Sequence, residues 1–153
     1  MVSDFNRLRL AHTEQALAPF IALRGRSVPV GGWLKAVREA LGRSLREQAT
    51  RLHISGPSLH KSEAAEAGDR ITLGQLRRLA DGLGCELVYG LVPREPLTQT
   101  VEAQATRMAQ QQVLKVAHSM GLEDQRPSDA FLEQQIAASR RALLEGSWTR
   151  LWR

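Results

Sequence analysis

The sequence predicts a mainly α-helical protein built on a helix-turn-helix, with helical extensions at both ends and one or two short β-strands. Three observations predict this class. Apolar residues recur at three- and four-residue spacing along most of the chain, the period of a helix with one buried face. Ser44, Ser55, Thr72 and Ser128 each precede such a run, where a hydroxyl can accept the free N–H groups of a first helical turn. Residues 44–63 fit two short helices and a tight turn into one continuous stretch. Together these divide the chain into an N-terminal helix and connector over 1–31, a helix-turn-helix domain with a short strand over 32–93, and a C-terminal helical extension over 94–153.

From Ser3 to about Leu23 the residues Phe5, Leu8, Leu10, Leu17, Phe20 and Ile21 spread over a wide arc of one helix, which needs cover on more than one side. Gly25, Pro29, Gly31 and Gly32 then mark a connector, in which Val28 to Val30 could form an edge strand. Leu34, Val37 and Leu41 open the next helix, with Gly42 as its stop. Within 44–63, Ser44 and Glu47 form a capping-box pattern, and Leu45, Ala49 and Leu52 share one face. Ala49 is small enough for a close helix crossing, and Ile54 is an apolar plug between the helices. Ser55 caps the second helix, and Gly56 and Pro57 lie in its first turn, where a missing N–H costs nothing. Leu59 points inward, leaving Pro57, Ser58, His60 and Lys61 outward.

Ala64 to Ile71 reads as a loop. Thr72 and Gln75 repeat the capping-box pattern before a helix whose inner face is Leu73, Leu76, Ala80 and Leu83, with Arg77 and Arg78 outside. Glu86 to Val92, bounded by Gly84 and Pro93, reads as a strand. A lone strand is unstable in water, so its partner is either Val28 to Val30 or the same segment of a second subunit. Pro96 starts a long helix carrying Leu97, Val101, Ala105, Met108 and Val116. Pro127 interrupts it, and Ser128 caps a last helix with Phe131, Leu132, Ile136, Leu143 and Leu144, ended by Gly146. Trp148 and Trp152 follow at a spacing that would put both on one helical face, serving either the core or a docking surface.

The stretch from Ser44 to Glu63 resembles the Xre/Cro-like helix-turn-helix domains of phage repressors, which Ala49, Ile54, Ser55, Leu59 and Glu63 match. Leu45 and His53 depart from that pattern, standing where many members carry a phosphate-binding glutamine and a turn glycine; the resemblance thus implies some backbone strain at His53, because glycine takes a positive φ freely and other residues do not. A wider likeness runs through Gly32 to Gly42, Ser62-Glu63-Ala64, Leu87 to Pro93 and His118 to Gln125, and is similar to the family called mobile mystery protein A. That resemblance implies a DNA-binding regulator, an autorepressor, encoded beside a Fic-domain protein in an arrangement like an antitoxin and its toxin. It also implies that the helix beginning at Ser55 enters the major groove. Lys61 would then donate to guanine, Pro57 would contact a thymine methyl, and His60 and Gly56 would lie on the same contact surface. Gln48, Ser55 and Ser58 would hold phosphates, with Arg46, Arg51 and Arg70 as auxiliaries. The partner expected is operator DNA in double-stranded form, bound by a homodimer.

Composition is compatible with this expectation. In 153 residues the chain carries a formal net charge of +5, supplied mostly by arginine, whose fork suits phosphate and guanine. A merely solvated basic surface is the plainer alternative. The single cysteine, Cys85, excludes an internal disulfide framework and suits a reducing compartment; its apolar surroundings suggest a small buried side chain. With neither a leader pattern nor a membrane-length apolar run, the protein is expected to be soluble and cytoplasmic, without a membrane partner.

No enzyme, metal or cofactor is expected. The histidines at 12, 53, 60 and 118 do not cluster with acids at ligand spacing, and HExxH, CxxC and GxSxG are absent. Gly82 and Gly84 lack the lysine and hydroxyl of a phosphate loop. Two other classes remain open: a protein-interaction module that neutralises a partner without specific DNA binding, and a general nucleoid-type binder without sequence preference.

Overall fold

The structure, a computed structural model, describes residues 2–122 and 127–153. Part of the expected likeness, Glu123 to Gln125, lies outside the described residues. The chain is mainly helical. Helices α1 (Val2–Leu17), α2 (Gly32–Ala40), α3 (Leu45–Arg51), α4 (Gly56–Ala67), α5 (Leu73–Asp81), α6 (Leu97–Leu122) and α7 (Asp129–Glu145) are joined by 3-10 turns over Ala18–Leu23 and Trp148–Trp152. They group into two compact units, residues 23–90 and residues 1–22 with 91–153.

In the 23–90 unit the helices begin where a hydroxyl can close the first turn. Ser44 Oγ accepts from Glu47 N, while the Glu47 carboxylate accepts from Ser44 N at 2.8 Å, a complete capping box. That pair of bonds, with the Ser44 N–H first among them, holds the Glu47 carboxyl below its ordinary pKa. Ser55 Oγ accepts from Ser58 N and Thr72 Oγ1 from Gln75 N, capping α4 and α5. Leu34, Ala49, Leu59, Leu79 and Leu83 are buried together, with Val37, Leu45, Leu52, Ile54, Ile71 and Leu76 packed around them. This core lies between α2, α3, α4 and α5 and sets how α4 is presented.

Helix α2 has a cap from an unexpected source. Glu66, on the last turns of α4, reaches across to accept from Trp33 N at 2.8 Å and Leu34 N at 2.9 Å. A carboxylate on the positive end of a helix is favourable. Gly32, at φ 87°, is what lets it approach: a Cβ there would lie 2.7 Å from the carboxylate.

In the other unit α7 packs along α6, with Ser139 Oγ donating to Gln112 Oε1 at 3.0 Å and Arg140 paired with Glu102 at 3.4 Å. Val101, Ala105 and Leu151 are buried there, with Leu10, Met108, Leu143, Leu144 and Trp148 against them. Helix α1 joins through Glu14, whose carboxylate accepts from Thr98 N at 2.9 Å and Thr98 Oγ1 at 2.7 Å, capping α6. The Thr98 N–H, first of these causes, lowers the Glu14 pKa.

Several expectations need correction. Among the described residues there is no β-strand: Val28 to Val30 and Glu86 to Val92 run without a ladder, because no second segment comes alongside either of them. The residues after Glu63 are not a loop, since α4 continues to Ala67 and only Gly68 to Ile71 turn. On α5 the inner positions are Leu76, Leu79 and Ala80, with Leu83 buried just beyond its end, while Leu73 is 45% exposed. Leu41, Val116 and Phe131 are likewise exposed rather than core. Cys85 is exposed, not buried. Trp148 and Trp152 do not share a face. The tail is a 3-10 turn, whose period of three aligns Trp148 with Leu151; Leu151 is fully buried, Trp148 donates its indole N–H to Leu144 O, and Trp152 is exposed.

No helix among the described residues is long and apolar enough to cross a membrane.

Candidate nucleic-acid interface

The turn between α3 and α4 is a Schellman closure. His53 N donates to Thr50 O and Ile54 N to Ala49 O, and His53 sits at φ 55° in the left-handed region. The strain expected at His53 is therefore present, and an L side chain occupies a place that glycine takes without cost. Ile54 packs on the core beside Ala49, which is 2% exposed, and this contact fixes the angle at which α4 leaves the turn.

A buried ion pair fixes the far end of α4. Arg38 on α2 donates from Nε to Glu63 Oε1 at 2.6 Å and from Nη2 to Glu63 Oε2 at 3.0 Å, with 7% and 4% of the two residues exposed. Its remaining nitrogen, Nη1, donates to Arg43 O at 3.0 Å. The Glu63 hydrogen bonds, the largest cause, raise the Arg38 pKa above its ordinary value despite burial. Such a forked, desolvated pair holds its partners in one geometry. It ties α2, the loop before α3 and α4 into one frame.

On that frame Pro57, Ser58 and Lys61 are exposed and occur at the three- and four-residue spacing of one helical stripe. His60 is also exposed but lies round the helix, lining a hollow with Lys35, Leu45 and Glu39. Ser55 is exposed with its hydroxyl engaged as the α4 cap, and Gly56 beside it is half-buried. The first turn of α4 has no acidic residue to neutralise the positive helix end. Arg46 and Arg51 are exposed on α3, and Arg70 is exposed in the turn after α4.

Gln48 is not where its assignment needs it. The side chain is 1% exposed, with Nε2 donating to Gly82 O at 2.9 Å and Oε1 accepting from Arg43 Nη1 at 3.0 Å. A buried amide bonded through both its oxygen and its nitrogen is a structural bridge between α3 and the end of α5, and its burial keeps it from a phosphate. Sequence reasoning also missed Arg38, Arg43 and Glu66. Arg38 carried one available signal, an arginine on a helix whose apolar stripe is short; the partners of Arg43 and Glu66 lie on other elements.

No group of three or more His, Cys, Asp or Glu side chains that could hold a metal ion occurs among the described residues. Comparison of the chain with descriptions of known protein families, with curated proteins and with solved structures yields no match.

Proposed function

We propose that the chain is a sequence-specific regulator that binds double-stranded operator DNA as a homodimer through an Xre/Cro-like helix-turn-helix formed by α3 and α4. The observation that carries this reading is the exposed stripe of Pro57, Ser58 and Lys61 on a helix clamped at one end by the Ala49–Ile54 turn and at the other by the Arg38–Glu63 pair. A base-reading helix must be rigid relative to its phosphate contacts, because a shift of register misaligns every hydrogen bond in the groove. Ser55, Ser58, Arg46, Arg51 and Arg70 supply positioning contacts, and Gly56 admits close approach at the helix start. By the resemblance stated above, the regulator acts in the cytoplasm as an autorepressor and as the antitoxin-like partner of a Fic-domain protein, with no catalysis of its own.

Salt dependence separates this from a protein-interaction module. Binding through six or more phosphates loses about 10³–10⁵ in affinity between 50 and 200 mM salt, log-linearly; an apolar helical interface hardly responds. Electrophoretic or anisotropy titrations over that range should give the steep slope, and a flat response rejects DNA as the ligand. Equal affinity for all duplexes would instead identify a nucleoid-type binder.

Within the DNA-bound state, Lys61→Ala should cost about 1–3 kcal/mol at one operator position and relax base preference there. Competition against single-base operator variants reads this directly. A uniform loss across sequences would make Lys61 a phosphate ligand.

A further inference from the structure

Residues 86–92 are a largely exposed stretch without secondary structure. Val88, Tyr89 and Leu91 are 66%, 61% and 75% exposed. Among the described residues, no backbone hydrogen bond is formed by any residue from Glu86 to Val92. A run rich in β-branched and aromatic residues with unpaired N–H and C=O groups is a template for another strand. What could cover it is written in its own order.

The stretch reads Glu86-Leu87-Val88-Tyr89-Gly90-Leu91-Val92-Pro93-Arg94. Placed antiparallel to a second copy about a twofold axis at Gly90, it sets Glu86 of each chain opposite Arg94 of the other. Val88 then faces Val92, Tyr89 faces Leu91 and Leu87 faces Pro93. Every pair is matched, acid to base and apolar to apolar, and the residue on the axis is the smallest. Opposite charges and aromatic–aliphatic pairs directly across a ladder are favourable, and like charges there are unfavourable. Pro93 fits this register, and Arg94 lies at the bend that follows it. Ladder positions alternate between hydrogen-bonded and non-hydrogen-bonded pairs. With Pro93 at a non-hydrogen-bonded site, where its missing N–H would point outward, Val88–Val92 and Gly90–Gly90 become hydrogen-bonded pairs. Glu86 and Arg94 are both exposed, and neither has an ion-pair partner among the described residues. A free two-stranded ribbon is marginal in water. Here Leu87, with Glu86 and Val88 beside it, lines an apolar hollow with Trp33, Leu76 and Leu83, which gives each strand a support.

We infer that the homodimer is held by an antiparallel ribbon in which residues 86–94 of two copies pair about Gly90, with Glu86 and Arg94 forming reciprocal ion pairs. This rests on the dimeric part of the function proposed above and names its interface.

Charge exchange tests it without DNA. Sedimentation equilibrium of the full chain should show a dimer at micromolar concentration. Glu86→Arg or Arg94→Glu alone replaces two attractive pairs by two repulsive ones and should weaken self-association by roughly tenfold or more. An equimolar mixture of the two single variants should recover the dimer: one chain then carries arginine at both positions and the other glutamate at both, so each cross-strand pair again joins opposite charges. The double variant, E86R/R94E, should recover it as well. A dimer unaffected by either single exchange, or one not restored in the mixture, overturns the ribbon while leaving a dimeric regulator in place. A chain that is monomeric throughout overturns both the ribbon and the dimer. The salt slope of DNA binding is read independently of either result.

Discussion

Glu63→Ala should destabilise the 23–90 unit by about 3–5 kcal/mol, the cost of leaving one member of a buried ion pair without its counter-charge. The guanidinium of Arg38 is nearly inaccessible to water and gives two of its nitrogens to Glu63. Its third contact, Arg43 O, is a neutral carbonyl and cannot replace the carboxylate. The variant chain must therefore either keep a cation whose remaining counter-charge is the exposed Glu39 carboxylate 3.8 Å away, or open α2 away from α4 to hydrate it. Replacing both partners with apolar residues removes the buried charge altogether, so an Arg38→Met and Glu63→Leu double variant should be less destabilised than Glu63→Ala alone. Urea denaturation at constant slope would measure both. A loss below about 1 kcal/mol for Glu63→Ala would mean that the site hydrates freely, as exposed pairs do. Because Glu63 closes the C-terminal half of α4, the same substitution should also weaken DNA binding, whereas Glu39→Ala, at the exposed end of a 3.8 Å contact with Arg38, should leave both nearly unchanged.

Leu79→Ala should cost about 2–5 kcal/mol, the range for truncating a leucine in a core that cannot collapse around the void. Leu79 is 1% exposed and sits among Leu34, Ala49, Leu59 and Leu83. Leu73, on the same helix, is 45% exposed, and Leu73→Ala should stay within about 0.5 kcal/mol of the parent, as surface substitutions do. The contrast tests the register of α5. If thermal denaturation showed Leu73→Ala as the damaging change and Leu79→Ala as the silent one, the helix would be rotated from the orientation described, and the Gln48 bridge to Gly82 would be lost with it.

What could be read in the sequence about this protein is what neighbouring residues decide among themselves. Ser44, Ser55, Thr72 and Ser128 start helices because a hydroxyl and the N–H three residues on are joined by a single turn of chain. The same locality made Leu59, Ala49 and Ile54 legible as inward and Pro57, Ser58 and Lys61 as outward, while the strained turn residue His53 was legible through the resemblance. Only the tertiary structure decided the rest. Gln48 looks like a surface amide until Gly82 O, far along the chain, arrives to accept its donor and allow its burial. Arg38 becomes a clamp because Glu63 is brought to it, and Glu66 becomes a cap because α4 passes the start of α2. Trp148 and Trp152 parted because packing wound the tail as a 3-10 turn around Leu151. Glu86 to Val92 has the composition of a strand and no ladder, since a strand exists only in its pairing and no segment within the described residues supplies one. Local preferences cost or yield fractions of a kcal/mol per residue, whereas burying a charge, an amide or a leucine is worth several; where the two conflict, the contact between distant segments prevails.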